Sequence, residues 1–300
     1  MSDAPRDTQD LFPGKPFIST VLEALETKTT MAGVLGRRYV MRAAMAGILA
    51  ALMYTAHFAL VAGFDQVAVG PSSLGVLGKA LGGLTFGWAL VFIYYSRSEL
   101  LTSNMMIVSI GAYHRRTTWG RAARLLGLCY LGNLVGGLLV ALFLRFSTLA
   151  EGAVLDQMVS SVEHKLAYVA AGPVGWGDLL IRAVLCNFCI NLAMLLVYNG
   201  LISNDVAKSA VMIVAVFIFA FLGLEHSVAN TVLFSIVGLR EGIDLGLAAG
   251  NVALALLGKN ACAHSASTSS VSIALQTPGR CTFALIAMRS AISRSASPST

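Results

Sequence analysis

The sequence is poor in charged residues, and those it has are spread unevenly along the chain. Only 12% of its 300 residues are charged, against roughly a quarter in an average soluble domain, and 56% are hydrophobic. The mean hydropathy is +0.75. This scarcity of charge excludes an ordinary soluble domain and indicates an integral membrane protein. The net charge of +6 does not predict a nucleic-acid partner, because the arginines cluster at the ends of apolar runs.

Catalytic motifs are also missing. No His-Glu-x-x-His zinc pattern and no Gly-x-Ser-x-Gly nucleophile elbow occurs, so the sequence predicts neither an enzyme nor a cofactor. Glu225 and His226 could serve an intramembrane enzyme, but neighbouring residues on a helix point about 100° apart. Cys186 and Cys189 have the spacing of a metal or redox pair. Without a second ligand pair, we interpret them as small buried hydrophobes.

Long apolar runs are abundant, and they predict the fold class. A run of about 20 apolar residues is long enough to cross a bilayer. We expect an all-α membrane protein with six transmembrane helices, of which the second and the fifth are broken. The predicted spans cover residues 43–62, 77–95 with a continuation over 100–111, 125–144, 179–198, 206–239 and 243–258.

The two ends of the chain differ from the spans. Residues 1–35 are predicted to form a cytoplasmic tail and an amphipathic helix, and residues 36–258 the transmembrane domain. The segment 259–300 is rich in Ser, Ala and Arg, which leaves the sixth span short. Either a reading-frame change near Gly258 replaced the end of this span, or the segment is a natural low-complexity tail.

Basic residues orient the predicted helices. Lys and Arg concentrate before the first span and in the loop over residues 114–124, whereas the loop after the first span has almost none. Cytoplasmic loops carry the excess of positive charge. Both termini are therefore predicted to lie in the cytoplasm, in a multi-pass protein of the cell (inner) membrane. The polar loop over residues 145–177, which carries Lys165, would lie outside.

Two polar interruptions inside apolar runs resemble each other. Glu99 and Asn104 lie five residues apart in the second span, and Glu225 and Asn230 have the same spacing in the fifth. Gly132 follows Glu99 by 33 residues, and Gly258 follows Glu225 by the same number. Three spans accompany each copy, and an odd number of spans inverts the second copy relative to the first. The sequence thus predicts two inverted three-helix repeats, an aquaporin-like arrangement, with the broken helices meeting near the midplane.

His226 lies in the second of these interruptions, where a polar side chain is costly. Such side chains face the protein interior or a pathway, because lipid cannot satisfy them. The other interruption carries Thr102, so we expect His226 to face Thr102 across a pathway. Glu99, Asn104 and Asn230 are interpreted as structural residues of the breaks. Glu225 is either a structural cap of the broken helix or a proton carrier.

Four short motifs are specific enough to compare with a known family. They are Ser98-Glu99-Leu100-Leu101-Thr102-Ser103-Asn104, Leu131-Gly132-Asn133, Arg182-Ala-Val-Leu-Cys-Asn187 and Glu225-His226-Ser227-Val228-Ala229-Asn230. On these motifs, over about residues 20–258, the sequence resembles the formate/nitrite transporter family. The resemblance implies a homopentamer in a lipid bilayer, in which each subunit has its own pore for small monovalent anions or their neutral acids.

The resemblance also implies roles for individual residues. His226 is similar to the central pore histidine of the family, and Thr102 to the threonine that faces it. Asn187 resembles the pore asparagine, and Lys165 the lysine at the outer mouth. The apolar constrictions on either side of the histidine would be formed by Phe86, Leu90, Leu101 and Phe219.

An apolar constriction of this kind selects against charge. An anion in a low dielectric is so costly that a weak acid takes up a proton there instead. We therefore expect proton-coupled passage of the neutral acid of formate, nitrite or a similar anion, with His226 relaying the proton. A neutral-solute channel of the water, glycerol or ammonium type is the alternative, although the paired Asn-Pro-Ala motifs of aquaporins are missing.

Overall fold

The computed structural model of the protein describes residues 15–69, 71–200 and 202–275, which are almost entirely helical. The helices are α1 Lys15–Val34, α2 Gly36–Asp65, α3 Gly75–Tyr95, α4 Leu101–Tyr113, α5 Trp119–Arg145, α6 Ala153–Ala170, α7 Gly172–Tyr198, α8 Asp205–Phe221, α9 Ser227–Arg240 and α10 Leu245–Leu275. A short antiparallel hairpin, β1 Ala68–Val69 with β2 Ser72–Ser73, joins α2 to α3, and a 3-10 turn, Thr148–Ala150, precedes α6.

The helices have the length and composition of membrane spans. Among those described, α2, α3, α5 and α7 are long and apolar enough to cross a bilayer, and α9 is apolar but shorter. Large apolar side chains, including Phe143 and Leu257, are exposed on the helix surfaces. Such exposure suits a surface that contacts lipid. The chain is a multi-pass membrane protein.

The two helix breaks, between α3 and α4 and between α8 and α9, are closed by the same backbone arrangement. One residue in each break has a left-handed φ, which is 54° at Arg97 and 65° at Gly223. The Ser98 amide then donates to the Ile93 carbonyl at 3.0 Å, and the Leu224 amide makes the equivalent bond at 2.9 Å. These bonds are Schellman caps, which end a helix within three residues. Each helix therefore stops abruptly inside an apolar run.

Both breaks lie a few residues earlier than the sequence predicts. The polar interruptions suggest breaks at residues 99–104 and 225–230, whereas the non-helical residues are 96–100 and 222–226. The first amides of a helix lack partners within it, so polar side chains gather in its first turn. The polar residues after Glu99 and Glu225 thus mark the restart of each helix rather than its interruption.

The segment predicted as a polar loop, residues 145–177, contains a helix. α6 buries Met158, Val162 and Lys165, which recur at the spacing of one helical face. This face packs against α2, α7, α9 and α10. The polar residues of α6 that suggest a loop lie mostly on its other face.

The helix at the predicted sixth span is longer than expected, because α10 continues beyond Gly258 as far as Leu275. The residues that follow Gly258 include no proline or glycine before Pro278. Nothing in them therefore ends a helix, even though their polarity is unusual for a span. The predictions for residues 1–14 and 276–300 lie outside the described residues.

The helices pack in two groups that have the same internal arrangement. α2 packs on α3 and α5, and α7 packs on α8 and α10, while α3 with α8, α5 with α9 and α4 with α10 join the two groups. Glycines allow the closest approaches. A Cβ on Gly136 would lie 1.9 Å from the Ala44 carbonyl oxygen, and one on Gly258 would lie 2.8 Å from the Leu180 carbonyl oxygen.

We expect Gly136→Ala to destabilise the protein. The added methyl forces α2 and α5 apart, which costs about 1–3 kcal/mol. Gly127 lies on the same helix and would gain a Cβ into open space, so Gly127→Ala should leave stability unchanged or raise it by up to about 1 kcal/mol. Apparent unfolding temperatures of the purified protein in detergent measure both. Equal temperatures for the two variants would contradict the close packing.

Candidate functional site

Two cavities lie at opposite ends of α2 and α3, and the buried His226 lines one of them. We call them the α6-side cavity, of about 430 Å³, and the α1-side cavity, of about 440 Å³. A space of about 30 Å³ lies between them and is called the central slot. The slot shares Phe86, Phe219 and His226 with the α6-side cavity, and Leu90 and Leu100 with the α1-side cavity. The three spaces thus share lining residues in the order α6-side cavity, central slot, α1-side cavity.

The central slot is apolar apart from the histidine. The rings of Phe86 and Phe219 meet edge to face with centroids 6.0 Å apart. Phe219 in turn stacks on His226, with centroids 5.4 Å apart and an angle of 25°. A space of this volume holds about one or two water molecules. An ion that enters it must lose nearly all of its hydration shell.

His226 ends the second break and caps α9. Its side chain is 6% exposed, and its Nδ1 accepts a hydrogen bond from the Ala229 amide at 3.2 Å. A ring nitrogen that accepts a backbone N–H cannot carry a proton, so the proton of this neutral imidazole is on Nε2. His226 can therefore offer one N–H donor to the path.

Several predicted pathway residues do not line the three cavities described above. Thr102 is fully buried, and its Oγ1 has no partner among the described residues, so it makes no hydrogen bond to His226. Leu101 is buried away from the cavities, and Leu100 takes its place in the slot. Leu100 rather than Leu101 lines the slot because Leu100 is extended, whereas Leu101 begins α4. Asn187 donates to the Lys259 carbonyl at 3.0 Å and also lies outside the cavities.

Lys165 lines the α6-side cavity and forms an ion pair there. Its Nζ lies 2.9 Å from Oε1 of Glu225, which is itself only 1% exposed. Asn230 and Asn251 donate to the other carboxylate oxygen. Burial alone would lower the pKa of Lys165, but the Glu225 carboxylate outweighs this effect, and the pKa is raised above its ordinary value. The Lys165 ammonium is therefore retained through neutral pH and lost only in strong alkali.

A matching arrangement surrounds Glu99 at the α1-side cavity. Its carboxylate pairs with Lys28 of α1 and, at 3.4 Å, with Arg42 of α2. Asn104 donates to the same carboxylate at 3.1 Å and to the Tyr39 hydroxyl at 2.9 Å. No sequence pattern indicates that Lys28, Arg42 and Tyr39 are partners of this site, because they lie far from Glu99 along the chain.

Asn133 of α5 forms hydrogen bonds to the backbone of the first break. Its Oδ1 accepts from the Leu101 amide at 3.1 Å, and its Nδ2 donates to the Glu99 carbonyl at 2.8 Å. The equivalent position in α10, directly after Gly258, is occupied by Lys259 instead of an asparagine. Lys259 is fully buried, and its Nζ lies 3.5 Å from Sγ of Cys186. An ammonium cannot accept a hydrogen bond. The start of α9 therefore depends on His226 for an acceptor.

Comparison with known sequences decides the family of this chain. The family described as formate/nitrite transporter matches residues 16–263, which is most of the sequence. The chain belongs to the formate/nitrite transporter family. Members with this fold are transport channels rather than enzymes.

Curated relatives of this chain are matched over part of their length. The uncharacterized transporter YwcJ of Bacillus subtilis is 31% identical over 54% of this chain and 60% of its own. The formate channel FocA of Haemophilus influenzae is 30% identical over 51% of this chain and 52% of its own. The nitrite transporter NirC of Salmonella typhimurium is 30% identical over 51% and 54%, respectively. The matched segments thus span about half to three fifths of these relatives.

Solved structures confirm the transporter fold. An FNT family ion channel has a TM-score of 0.72 at 23% identity and covers 87% of this chain and 99% of its own. A structure described as a pentameric formate channel with formate bound has a TM-score of 0.64 at 18% identity and covers 80% and 98%, respectively. The fold is therefore shared over nearly the whole length of both solved structures.

We expect the pair of Lys165 and Glu225 to be strongly coupled. Glu225→Gln leaves a buried ammonium without its carboxylate, which costs about 3–5 kcal/mol. Adding Lys165→Met removes the stranded charge and should recover much of this loss. Apparent unfolding temperatures of both single variants and the double variant form a double-mutant cycle. Losses that simply add would show that the pair is not coupled.

Proposed function

We propose that this protein is a channel for small monovalent anions or their neutral acids, with formate and nitrite as the first candidates. The observation that carries the proposal is the central slot, where two polar cavities are separated by about 30 Å³ of apolar space beside one histidine. The relatives named formate channel and nitrite transporter support the class of substrate.

The charges of both cavities favour anions. The α1-side cavity is lined by Lys28, Arg42 and Arg97 against one carboxylate, that of Glu99. The α6-side cavity has a similar excess of positive charge, because Lys79, Lys165 and Arg182 line it together with one carboxylate, that of Glu225. A cavity lined by an excess of one charge sign raises the local concentration of the opposite ion. Both mouths would therefore gather the anion before the slot.

Passage through the slot would require a neutral species. An anion that leaves the cationic cavity for the space between Phe86, Leu90 and Phe219 loses its hydration, and a weak acid then takes up a proton. The Nε2 proton of His226 offers the crossing molecule one hydrogen bond at the midpoint. Thr102 and Asn187 each keep a buried oxygen without a partner among the described residues, and we assign both to the supporting wall of the path.

We further propose six membrane spans in two inverted repeats. α2, the broken pair α3 and α4, and α5 would form one repeat, and α7, the broken pair α8 and α9, and α10 the other. The matching helix contacts, the two Schellman caps and the two buried Glu and Asn pairs support this arrangement. Helices α1 and α6 would then occupy equivalent places at the two ends of the path.

The assembly and orientation follow the same reasoning. The solved relative described as pentameric supports a homopentamer with one path in each subunit. The basic loop between α4 and α5 favours the cytoplasmic side of the inner membrane for the α1-side cavity. Both termini would then be cytoplasmic, and the α6-side cavity would face outward. The residues after Gly258 remain a candidate frame change.

The test of the function is uptake of labelled formate, nitrite and ammonium by one preparation of proteoliposomes. We expect formate and nitrite to enter faster as the pH falls, because each anion must take up a proton before it crosses the slot. Ammonium should not enter above the rate of empty liposomes. Rapid ammonium flux without formate or nitrite flux would instead favour the neutral-solute channel.

The role of His226 is tested by two variants that separate its two contacts. His226→Phe keeps the stacking on Phe219 but removes both ring nitrogens, whereas His226→Asn supplies a good cap for α9 without the imidazole. We expect both to slow formate uptake by about tenfold, the value of one hydrogen bond of about 1.4 kcal/mol. Full uptake by His226→Asn would mean that the histidine serves only as a cap. Thr102→Val should have a smaller effect.

A further inference from the structure

A second histidine, His57 of α2, lies at the entrance to the slot. It is 8% exposed and lines the α6-side cavity. Its ring centroid lies 5.6 Å from that of Tyr54 and 6.4 Å from that of Phe86, which belongs to the slot. A molecule that moves from the cavity into the slot therefore passes from the surroundings of His57 to those of Phe86.

The ring of His57 is held in one orientation. Its Nδ1 is buried and faces the backbone of α3, where a Cβ on Gly82 would lie 2.8 Å from it, so the Gly82 backbone is the partner within reach of an Nδ1 proton. The ring is also packed edge to face on Phe58, with centroids 5.2 Å apart. Because Nδ1 faces α3, we infer that Nε2 is the nitrogen on the side of the cavity that His57 lines.

The charged groups around His57 come from several helices. α3 contributes Lys79, α6 contributes His164 and Lys165, and α7 contributes Arg182 to the same cavity. The second break contributes Glu225, already paired with Lys165, and His226. α9 contributes only the uncharged Ala229 and Asn230, and no described residue of α5 lines the cavity.

The other cavity has no equivalent group. Among its described lining residues are Lys28, Arg42 and Arg97, but no histidine. Lysine and arginine remain charged at neutral pH and seldom give up a proton, whereas histidine changes charge between about pH 5 and pH 8. The two ends of the path thus differ in their ability to supply a proton.

We propose that His57 is the proton donor of the α6-side cavity, which protonates the weak-acid anion before it enters the central slot. In this step the Nε2–H bond of the imidazolium breaks, and an O–H bond forms on the anion. The neutral imidazole then takes up a proton from hydronium in the cavity, which leaves water. The assignment rests on the proposed transport of weak acids and adds the residue that supplies the proton.

Uptake of labelled formate by right-side-out and inverted membrane vesicles tests this assignment. With the wild-type protein, lowering the pH on the α6 side from about 8 to about 5 should raise the rate of entry from that side. His57→Gln should reduce this rise by roughly tenfold or more. It should leave uptake at alkaline pH, and the response to pH on the α1 side, unchanged.

Two further variants keep the test decisive. His164→Gln removes an exposed histidine of the same cavity, which is bonded to Tyr168 at 2.9 Å, and should retain the wild-type profile. Lys79→Met alters an exposed side chain, so it should fold even if His57→Gln does not. Removing this cation should shift the midpoint of the profile toward higher pH.

The outcomes separate the two proposals. An unchanged profile in His57→Gln, or in Lys79→Met if the first variant does not fold, overturns the role of His57 while leaving the channel function intact. Loss of the pH response in His164→Gln would also overturn it. Failure of the wild-type protein to transport formate or nitrite would overturn the channel function itself.

Discussion

The burial of two carboxylates constrains much of this structure. Glu99 and Glu225 lie at the helix breaks with almost no exposure, where an unpaired charge would cost several kcal/mol. Each is paired with a lysine and with an asparagine five residues further along the chain. The lysines come from α1 and α6, which explains why two amphipathic helices pack into the core. The breaks, the cavities and these two helices therefore depend on the same charge balance.

Much of this frame is readable from the sequence, because the physics that specifies it is local. Apolar runs predict most of the helices that form the bundle, and paired Glu and Asn residues indicate the two breaks to within a few residues. The cost of a polar side chain in lipid also directs attention to His226. The slot residues Phe86, Leu90 and Phe219 are instead implied by the resemblance to the family, which implies Leu101 as well, although Leu101 does not line the slot.

Other features depend on contacts or backbone details that no local pattern contains. Lys28 is 71 residues from Glu99, and nothing in its own surroundings indicates the pair. Which of Leu100 and Leu101 faces the slot depends on the residue at which α4 begins, since helical periodicity applies only after that point. His57 belongs to an apolar helix, and only the packing of α3 at Gly82 reveals how its ring is held.

The hydrogen bond that caps α9 also determines the protonation of His226. Protonation of His226 at Nδ1 would replace the acceptor of the Ala229 amide with a second donor, so the helix cap would be lost with it. The cap thus holds the central imidazole in one neutral tautomer, which can donate a hydrogen bond but is poorly suited to carry a proton. Because a permeating weak acid still needs that proton, its source belongs in the cavities, where water and charged side chains meet.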